Sequence, residues 1–241
     1  MTPIIHGTSS PEVSLPHGTP SILFENDDIL AVNKPEGLAS IAERHEEKEN
    51  LLSRLSGRAQ GKLYVVHRLD KEASGVILFA KNAGTHRFLN EQFSHWTIKK
   101  TYVALAHGVI TEEDGTIDRP LRQFGSGRMG IDPDRGKACR TKFVVTERFR
   151  RATLLRVHPL SGRRHQIRVH LYSIGHPILG DRFYGDRAIQ GEFARLMLHA
   201  EKIAFLLPPS EELTVEAPLP ESFQVILDAV AKNERPRAPW A

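Results

Sequence analysis

The chain has 241 residues, 40% of them hydrophobic, which is enough apolar surface to bury a core. Lysine and arginine number 33 against 29 aspartates and glutamates, so the formal charge of +4 permits a polyanionic partner without requiring one. The first residues lack the basic and apolar regions of a signal peptide, and no stretch reaches the length of a membrane span, so we expect a cytoplasmic protein without a membrane partner.

The beginning of the chain predicts a tail followed by a hairpin and a helix. Residues 1–20 contain four prolines and no apolar period, so we expect an amino-terminal tail or arm. Two apolar runs, at 22–24 and 29–32, flank the turn residues Asn, Asp and Asp, which predicts a β-hairpin. Leucines at helical spacing then predict a helix within residues 46–58.

The central part of the chain predicts a strand, a helix and a second strand before regular patterns end. GVILFAK, at 75–81, is typical of a strand buried on both faces, and the apolar spacing over 83–96 indicates an amphipathic helix. TYVALAHG returns to a strand pattern. Residues 110–140 are rich in Gly, Pro, Asp and Arg and predict a long loop or an irregular hairpin. GSGRMG, at 125–130, matches a dinucleotide-binding motif, but no helix pattern follows it, so we expect no nucleotide site there.

The second half of the chain again alternates strands with occasional helices. TKFVVTERF and ATLLRVHPL have strand patterns, and HQIRVHLYSIG has one apolar helical face with a glycine at its end. KIAFLL predicts a strand, and ESFQVILDAVAKN predicts a last helix.

These elements predict an α+β fold with a mainly antiparallel mixed central sheet flanked by helices, because no regular βαβ alternation is visible. We expect one domain over residues 21–233 and a carboxy-terminal tail over 234–241. The single cysteine, Cys139, has no His or Cys at zinc-ligand spacing, so we predict neither a disulfide nor a metal site.

A cluster of charged residues stands immediately before the buried central strand. Asp70 lies between Arg68 and Lys71, a few residues before Ser74 and Gly75 begin that strand. Loops at the edge of a sheet commonly carry functional groups, although a solvated charged turn would have the same composition.

A second charged cluster, GRRHQIRVH at 162–170, stands at the start of a predicted helix. On that helix Arg168 lies about 100° round from Ile167, close to the apolar face, where an arginine needs an acidic partner. A carboxylate beside a guanidinium stays ionised and can act as a nucleophile or bind a cation. The residues alone leave open which carboxylate this is.

The ordered blocks of this sequence resemble the RluA family of pseudouridine synthases. HRLDKEASG, at 67–75, is similar to the HRLDxxTSG signature of that family, and the resemblance extends from residue 32 to residue 223. The later blocks follow in the expected order: KKTYVALAHG, GKACRTKF, GRRHQIRVHLYSIGHPILGD and LHAEKIAFLLPP. Ala73 stands where the signature usually has Thr, which removes a hydroxyl from the turn. Many relatives carry an added amino-terminal RNA-binding domain, which we do not expect the first twenty residues to form.

The resemblance implies that a uridine in ribosomal or transfer RNA is isomerised to pseudouridine, without a cofactor or metal. Asp70 corresponds to the catalytic aspartate, which attacks the uracil ring or the ribose, or removes a ribose proton; these routes stay open. Arg168 corresponds to the arginine that pairs with it, and Tyr102 to the tyrosine that lies against the extruded base. The lack of an added RNA-binding domain favours a compact stem-loop as the target, and we expect the protein to be a monomer.

The same resemblance assigns substrate-binding roles to several cations. Arg68 corresponds to an arginine that enters the space vacated by the flipped uridine, which suits a planar group able to stack on bases. Phosphate contacts suit four further residues, namely Lys99, Lys100, Arg163 and Arg164. His67, beside a buried strand, is predicted to be structural.

Two other classes of function compete with this interpretation. A glycoside hydrolase would need a second acid, for example Glu72, placed across a sugar from Asp70, and the sequence shows no recognisable pair. A catalytically inactive RNA-binding protein or RNA chaperone of the same fold is the other alternative. The presence of Asp70, Tyr102 and Arg168 together favours the enzyme.

Overall fold

The computed structural model describes residues 4–5, 19–42, 49–56, 61–208 and 210–233. The strands of these ranges are β1 (Ile4–Ile5), β2 (Ser21–Glu25), β3 (Ile29–Lys34), β4 (Tyr64–Val65), β5 (Ser74–Ala80), β6 (Lys99–His107), β7 (Asp114–Asp118), β8 (Leu121–Gln123), β9 (Met129–Ile131), β10 (Arg140–Arg148), β11 (Ala152–Pro159), β12 (Leu198–Leu207) and β13 (Glu211–Glu216). The helices are α1 (Leu51–Ser56), α2 (Ala83–Ser94), α3 (Gln166–Ser173), α4 (Arg187–Gly191) and α5 (Glu221–Ala231). No helix of the described residues is both long enough and apolar enough to cross a membrane.

The chain divides into two compact units. Unit 1 contains Met1–Lys100 and Ala200–Pro218, and unit 2 contains Thr101–His199 and Leu219–Ala241. Within each unit the strand pairs are mainly antiparallel and helices are few, so the predicted α+β class is confirmed. The predicted tail at 234–241 lies outside the described residues, as does most of the tail at 1–20.

In unit 1 the strands lie in the order β2, β3, β5, β12, with β4 paired to β5 and β13 paired to β12. The predicted hairpin is formed by β2 and β3, and the Asn26 side chain closes its turn by accepting hydrogen bonds from the N–H groups of Asp28 and Ile29 at 2.9 and 2.8 Å. All seven residues of β5 are buried, as its continuous apolar run predicted. Strand β1 pairs in parallel with β13.

Helix α2 lies on β4 and β5 in unit 1. It begins after Asn82, whose side chain accepts a hydrogen bond from the Thr85 N–H at 2.8 Å. It ends at Ser94, two residues before the predicted end, and Trp96 beyond it has a left-handed backbone with φ of 58°. Helix α1 lies within the predicted range 46–58, although the first and last parts of that range lie outside the described residues.

In unit 2 the strands lie in the order β6, β11, β10, β7, and the predicted strand patterns over 101–108, 141–149 and 152–160 are confirmed. The segment 110–140, for which a long loop or an irregular hairpin was predicted, contains three strands, and the first of them, β7, joins β10 in the sheet. The strands β8 and β9 form a separate hairpin, and GSGRMG links its two strands instead of opening a helix.

The two larger helices of unit 2 confirm the apolar patterns that predicted them. Helix α3 lies against β9, β10 and β11, and its first six residues are buried. Helix α5 buries Phe223 and Ile226. The guanidinium of Arg195 lies 5.6 Å from the centre of the Phe223 ring and donates a hydrogen bond to the Ser222 hydroxyl at 2.8 Å, which fixes the start of α5.

Candidate active site

Asp70 lies in unit 1, in the loop that joins β4 to β5, and its side chain is half-buried. The backbone carbonyl of Asp70 accepts a hydrogen bond from the Ala73 N–H at 3.2 Å, so residues 70–73 form a turn. The bond that closes this turn runs from backbone to backbone. Ala73 can therefore occupy the position of the signature threonine without loss of the turn.

Ser40 fixes the loop immediately before Asp70. Its hydroxyl donates a hydrogen bond to the Leu69 carbonyl at 2.9 Å and accepts one from the Leu69 N–H at 3.1 Å. Both residues are buried, so both backbone groups of Leu69 are satisfied without water. The backbone is thus fixed at Leu69, between Arg68 and Asp70.

Lys34 fixes the loop immediately after Asp70. It is fully buried, and its ammonium group donates hydrogen bonds to the carbonyls of Pro35, Leu38 and Lys71 at 2.9, 2.7 and 3.1 Å. The Gly37 N–H also donates to the Lys71 carbonyl at 2.9 Å. A buried ammonium needs such acceptors. Lys34 lies within the residues that resemble the RluA family, but the sequence did not assign it this role.

Gly75 allows the start of β5 to approach β12 closely. Its φ is +116°, and a Cβ at this position would lie 2.2 Å from the backbone oxygen of Ala200. Only glycine has both the conformational range and the missing side chain that this contact requires. The glycine of the HRLDKEASG block is therefore needed at the beginning of β5, where the Asp70 loop joins the sheet.

His67 is a structural residue beside the loop, as predicted. Its Nε2 accepts a hydrogen bond from the Leu78 N–H at 3.0 Å, so in the neutral ring the proton sits on Nδ1. The ring stacks on Phe93 with the ring centres 4.9 Å apart. Burial, and secondarily the positive charge of Lys100, lower the pKa of His67 to about 3.

This environment predicts that acid weakens the fold through His67. Because the unfolded residue has a pKa near 6.5, the unfolded state binds a proton that the folded state excludes as the pH falls from about 6.5 towards 3. The free energy of unfolding should therefore fall by about 2 kcal/mol between pH 7.5 and pH 5 through this group alone. Urea unfolding at both pH values measures the loss. The His67→Gln variant keeps an acceptor but cannot titrate, so its loss should be smaller by about that amount; equal losses in both proteins would contradict the assignment.

The candidate substrate-binding cations of unit 1 have different surroundings. Arg68 is exposed on the anchored loop. Lys99 is also exposed, and its ammonium nitrogen lies 3.8 Å from a carboxylate oxygen of Glu212. Lys100 is half-buried, and burial lowers its pKa to about 8. The two lysines were predicted to act alike, and their surroundings differ because Lys99 is exposed and Lys100 is half-buried.

Arg168, in unit 2, is held by a carboxylate that the sequence did not single out. Its Nε and Nη2 donate hydrogen bonds to the two carboxylate oxygens of Asp181, each at 2.8 Å. The two side chains are only 1% and 0% exposed. The expected acidic partner near the apolar face of α3 is thus present as Asp181, while the pairing of Arg168 with Asp70 stays a prediction.

Gln166 fixes the segment that precedes Arg168. Its Oε1 accepts hydrogen bonds from the Ser161 hydroxyl at 2.7 Å and the Arg163 N–H at 3.1 Å. Its Nε2 donates to the Arg140 carbonyl and to the Thr141 hydroxyl, both at 3.0 Å. All four hydrogen-bonding positions of the amide are therefore used. The start of α3 is tied to β10 by this one buried side chain.

The remaining candidates of unit 2 lie on β6 and before α3. Tyr102 is half-buried on β6, opposite Val157 of β11. Arg163 is half-buried and Arg164 is exposed. Unit 1 thus contains Arg68, Asp70, Lys99 and Lys100, and unit 2 contains Tyr102, Arg163, Arg164 and Arg168.

Cys139 has the surroundings of a packed, unreactive thiol. It is 3% exposed, and burial is the main cause that raises its pKa to about 11, so the thiol stays protonated at neutral pH. Within the described part of the chain, no group of three or more His, Cys, Asp or Glu residues is placed to hold a metal ion.

Comparison with known proteins gives consistent matches over most of the chain. Residues 28–173 match the family model described as RNA pseudouridylate synthase. The chain is 40% identical over 202 residues to the dual-specificity RNA pseudouridine synthase RluA of Vibrio vulnificus, which covers 80% of each protein. It is 35% identical over 219 residues to the ribosomal large subunit pseudouridine synthase C of Vibrio parahaemolyticus, over 88% of this chain and 69% of that protein. The solved structure of human RNA pseudouridylate synthase domain containing 1 is similar with a TM-score of 0.71 at 27% identity, over 91% of this chain and 97% of the human chain.

Proposed function

The chain belongs to the RluA family of RNA pseudouridine synthases. From this membership we propose that the protein isomerises specific uridines in ribosomal or transfer RNA and that Asp70 is its catalytic carboxylate. Enzymes of this family are isomerases that act on RNA, so the class of reaction and the class of substrate are established by the family. The proposal concerns the residues, the route and the target.

The reaction rearranges one nucleotide without an external reactant. The bond from N1 of uracil to the ribose C1′ breaks, the base turns, and a bond from C5 to C1′ forms. The proton on C5 is lost and N1 gains a proton, so no oxidant or group donor is needed. A carboxylate can serve as the nucleophile towards the base or the ribose, or as the base that removes a ribose proton.

The observation that carries the proposal is the anchored loop that presents Asp70. Leu69 before it and Lys71 after it are both held through their backbones, by Ser40 and Lys34 respectively. A nucleophile gains from this arrangement, because fixed positioning removes entropy that the reaction would otherwise have to supply. The half-buried carboxylate keeps access to a substrate.

We assign supporting roles to Arg168 and Tyr102 from the family resemblance. Arg168 is proposed to favour the ionised form of Asp70, as a cation does for a neighbouring carboxylate. Tyr102 is proposed to lie against the extruded base and to take part in a late proton transfer. In unit 2 the rigid hold of Asp181 on the Arg168 guanidinium is consistent with a positioned cation.

The proposed target is a uridine in a stem-loop, approached by base flipping. One relative is named for the large ribosomal subunit, which supports ribosomal RNA as a substrate class. The exposed Lys99 and Arg164, together with Lys100 and Arg163, are proposed to contact phosphates. Action as a monomer and without a metal stays a prediction from the sequence.

Release of tritium from RNA labelled at C5 of uridine tests the proposed activity. An isomerase must lose the C5 proton in every turnover, whereas an inactive RNA-binding protein or RNA chaperone of the same fold releases none. Mapping pseudouridine in total RNA from cells with and without the gene then identifies the position. If the protein binds labelled total cellular RNA but releases no tritium from it, the assignment as an enzyme is overturned in favour of an RNA-binding protein.

Arg68 is proposed to fill the stack that the uridine leaves, because it is exposed two residues before Asp70 on the anchored loop. Extrusion costs a few kcal/mol for a stacked base and less for a flexible one. Arg68→Ala should therefore lower kcat/KM on a stem-loop at least about tenfold more than on a flexible single strand of the same local sequence. Steady-state kinetics on the two RNAs measure this difference.

Arg68→Lys is the matched control for this prediction. A compact ammonium keeps the charge but cannot stack as a guanidinium does, so the lysine variant should resemble the alanine variant on the stem-loop. Equal losses on both RNAs, or full rescue by lysine, would assign Arg68 to phosphate binding instead.

A further inference from the structure

Phe183 is a large aromatic side chain that unit 2 holds at its surface. It follows α3 in the loop before α4, and 50% of its surface is exposed. Its backbone N–H donates a hydrogen bond to Oδ1 of Asp181 at 2.9 Å, and that carboxylate is itself bound to Arg168. The ring is therefore carried by a fixed segment although half of it faces solvent.

The ring of Phe183 rests on cationic and aromatic neighbours. The guanidinium carbon of Arg168 lies 5.3 Å from its centre, within the range of a cation–π contact. The imidazole of His165 lies with its centre 5.8 Å away, tilted by 51°. His165 in turn is held by the Tyr184 hydroxyl, 2.9 Å from its Nδ1. These contacts set the orientation of Phe183 without covering it.

The backbone conformation of His165 indicates that the surroundings of Phe183 have a functional role. It has a left-handed backbone with φ of 53°, which is unfavourable for a residue with a side chain, and its side chain makes no cap to helix α3. Such strain persists where surrounding structure enforces it, and it concentrates at functional sites. With this backbone conformation, the centre of the His165 ring lies 5.8 Å from the ring centres of both Phe183 and Tyr184.

Arginines surround this aromatic cluster. Arg128, exposed on β8–β9, lies with its guanidinium carbon 4.9 Å from the centre of the Tyr184 ring. Arg164 and Arg182 are exposed and are the chain neighbours of His165 and Phe183. Asp181 is buried against Arg168, so its charge is neutralised. Asp186, three residues after Phe183, is exposed and accepts hydrogen bonds from the N–H groups of Ala188 and Ile189. The positive rim of the cluster consists of Arg128, Arg164 and Arg182.

We propose that Phe183 is a stacking position for an unpaired base of the RNA substrate, and that Arg128 and Arg164 contact the phosphates beside that base. Protein sites that bind single-stranded RNA combine exposed aromatic rings with arginines, because every base has a stacking face and every nucleotide has a negative charge. The cation under Phe183 and the positive rim disfavour a purely apolar partner. The inference rests on RNA as the substrate and adds Phe183 and Arg128 to the eight residues assigned above.

Binding of an oligoadenylate of about twelve nucleotides tests the proposal, because this RNA contains no uridine and so cannot be turned over. Inorganic polyphosphate of similar length is the control ligand, since it has the charge of RNA without the bases. Phe183→Leu keeps apolar bulk over Arg168 but lacks a ring. It should weaken oligoadenylate binding about tenfold and change polyphosphate binding less than about twofold.

Phe183→Trp is the complementary variant. It should bind oligoadenylate at least as tightly as the unchanged protein, and its added indole fluorescence should be quenched by oligoadenylate and not by polyphosphate. Arg128→Gln should lower the affinity for oligoadenylate and for polyphosphate by a similar factor, about threefold to tenfold, and should reduce the salt dependence of binding.

Two results would overturn the proposal. One is an oligoadenylate affinity of Phe183→Leu within about twofold of the unchanged protein, and the other is an unquenched indole in Phe183→Trp. Neither depends on Asp70. A failure of the catalytic assignment, seen as continued tritium release by an Asp70 variant, is therefore distinguishable from a failure of the stacking position.

Discussion

Asp70→Asn should abolish pseudouridine formation while leaving the fold and the affinity for RNA unchanged. Asparagine has the shape of aspartate, and the turn at this position is closed by backbone groups, so the variant should fold normally. The amide lacks the nucleophilicity and basicity of a carboxylate. A lost covalent or general-base role should lower kcat/KM by at least about a thousandfold.

Glu72→Gln is the matched control, because Glu72 is a half-buried acid on the same turn. Its neutralisation should lower kcat/KM less than about threefold, since no family block assigns it chemistry. Tritium release measures turnover, and RNA binding by filter retention measures affinity. Activity of Asp70→Asn within about tenfold of the unchanged protein, or an equal loss in Glu72→Gln, would remove Asp70 from the chemistry.

Patterns of short range in the sequence predicted most elements of both units. The β2–β3 hairpin follows from Asn26 between two apolar runs, and β5 from an unbroken apolar stretch. The expectation that no helix follows GSGRMG also came from local context, and the structure has a hairpin strand there. In each case the determining contacts lie within a few residues along the chain.

Some elements were missed although a local signal was present. Strand β13 has a charged composition, EELTVE, but Leu213 and Val215 alternate with polar residues and are buried, which is a strand period of two. Helix α4 starts after Asp186, whose carboxylate accepts hydrogen bonds from the N–H groups of Ala188 and Ile189. That aspartate is an ordinary helix-start signal.

The contacts that fix the candidate site are of long range, and no local pattern contains them. Ser40 binds Leu69 from 29 residues away, and Lys34 binds Lys71 from 37 residues away. The sequence could predict that Arg168 needs a carboxylate but not that Asp181 supplies one, because 13 residues and a turn separate them. Such pairings depend on tertiary structure, so they become visible only in the folded chain.

The free energy of unfolding and the activity should respond differently when Arg168 and Asp181 are changed singly and together. Arg168→Met leaves the buried carboxylate without its guanidinium, and Asp181→Asn turns an amide donor towards the N–H groups of Arg168. Each single change should lower the free energy of unfolding by about 3–5 kcal/mol, because breaking one side of a buried pair leaves an uncompensated charge.

The double variant Arg168→Met, Asp181→Asn separates the pair's effect on folding from its effect on the reaction. The remaining asparagine oxygen can still accept the hydrogen bonds that Phe183 and Tyr184 donate to Oδ1 of Asp181, so the loop keeps its anchor. With both charges gone, the free energy of unfolding should return to within about 1–2 kcal/mol of the unchanged protein, as it does when buried ion pairs are replaced as a unit. Urea unfolding of all four proteins measures the coupling.

Tritium release should stay at least about a hundredfold below the unchanged protein, because the cation proposed to support Asp70 is absent. A double variant that is both stable and active would show that the buried pair serves the fold alone and that Asp70 reacts without Arg168.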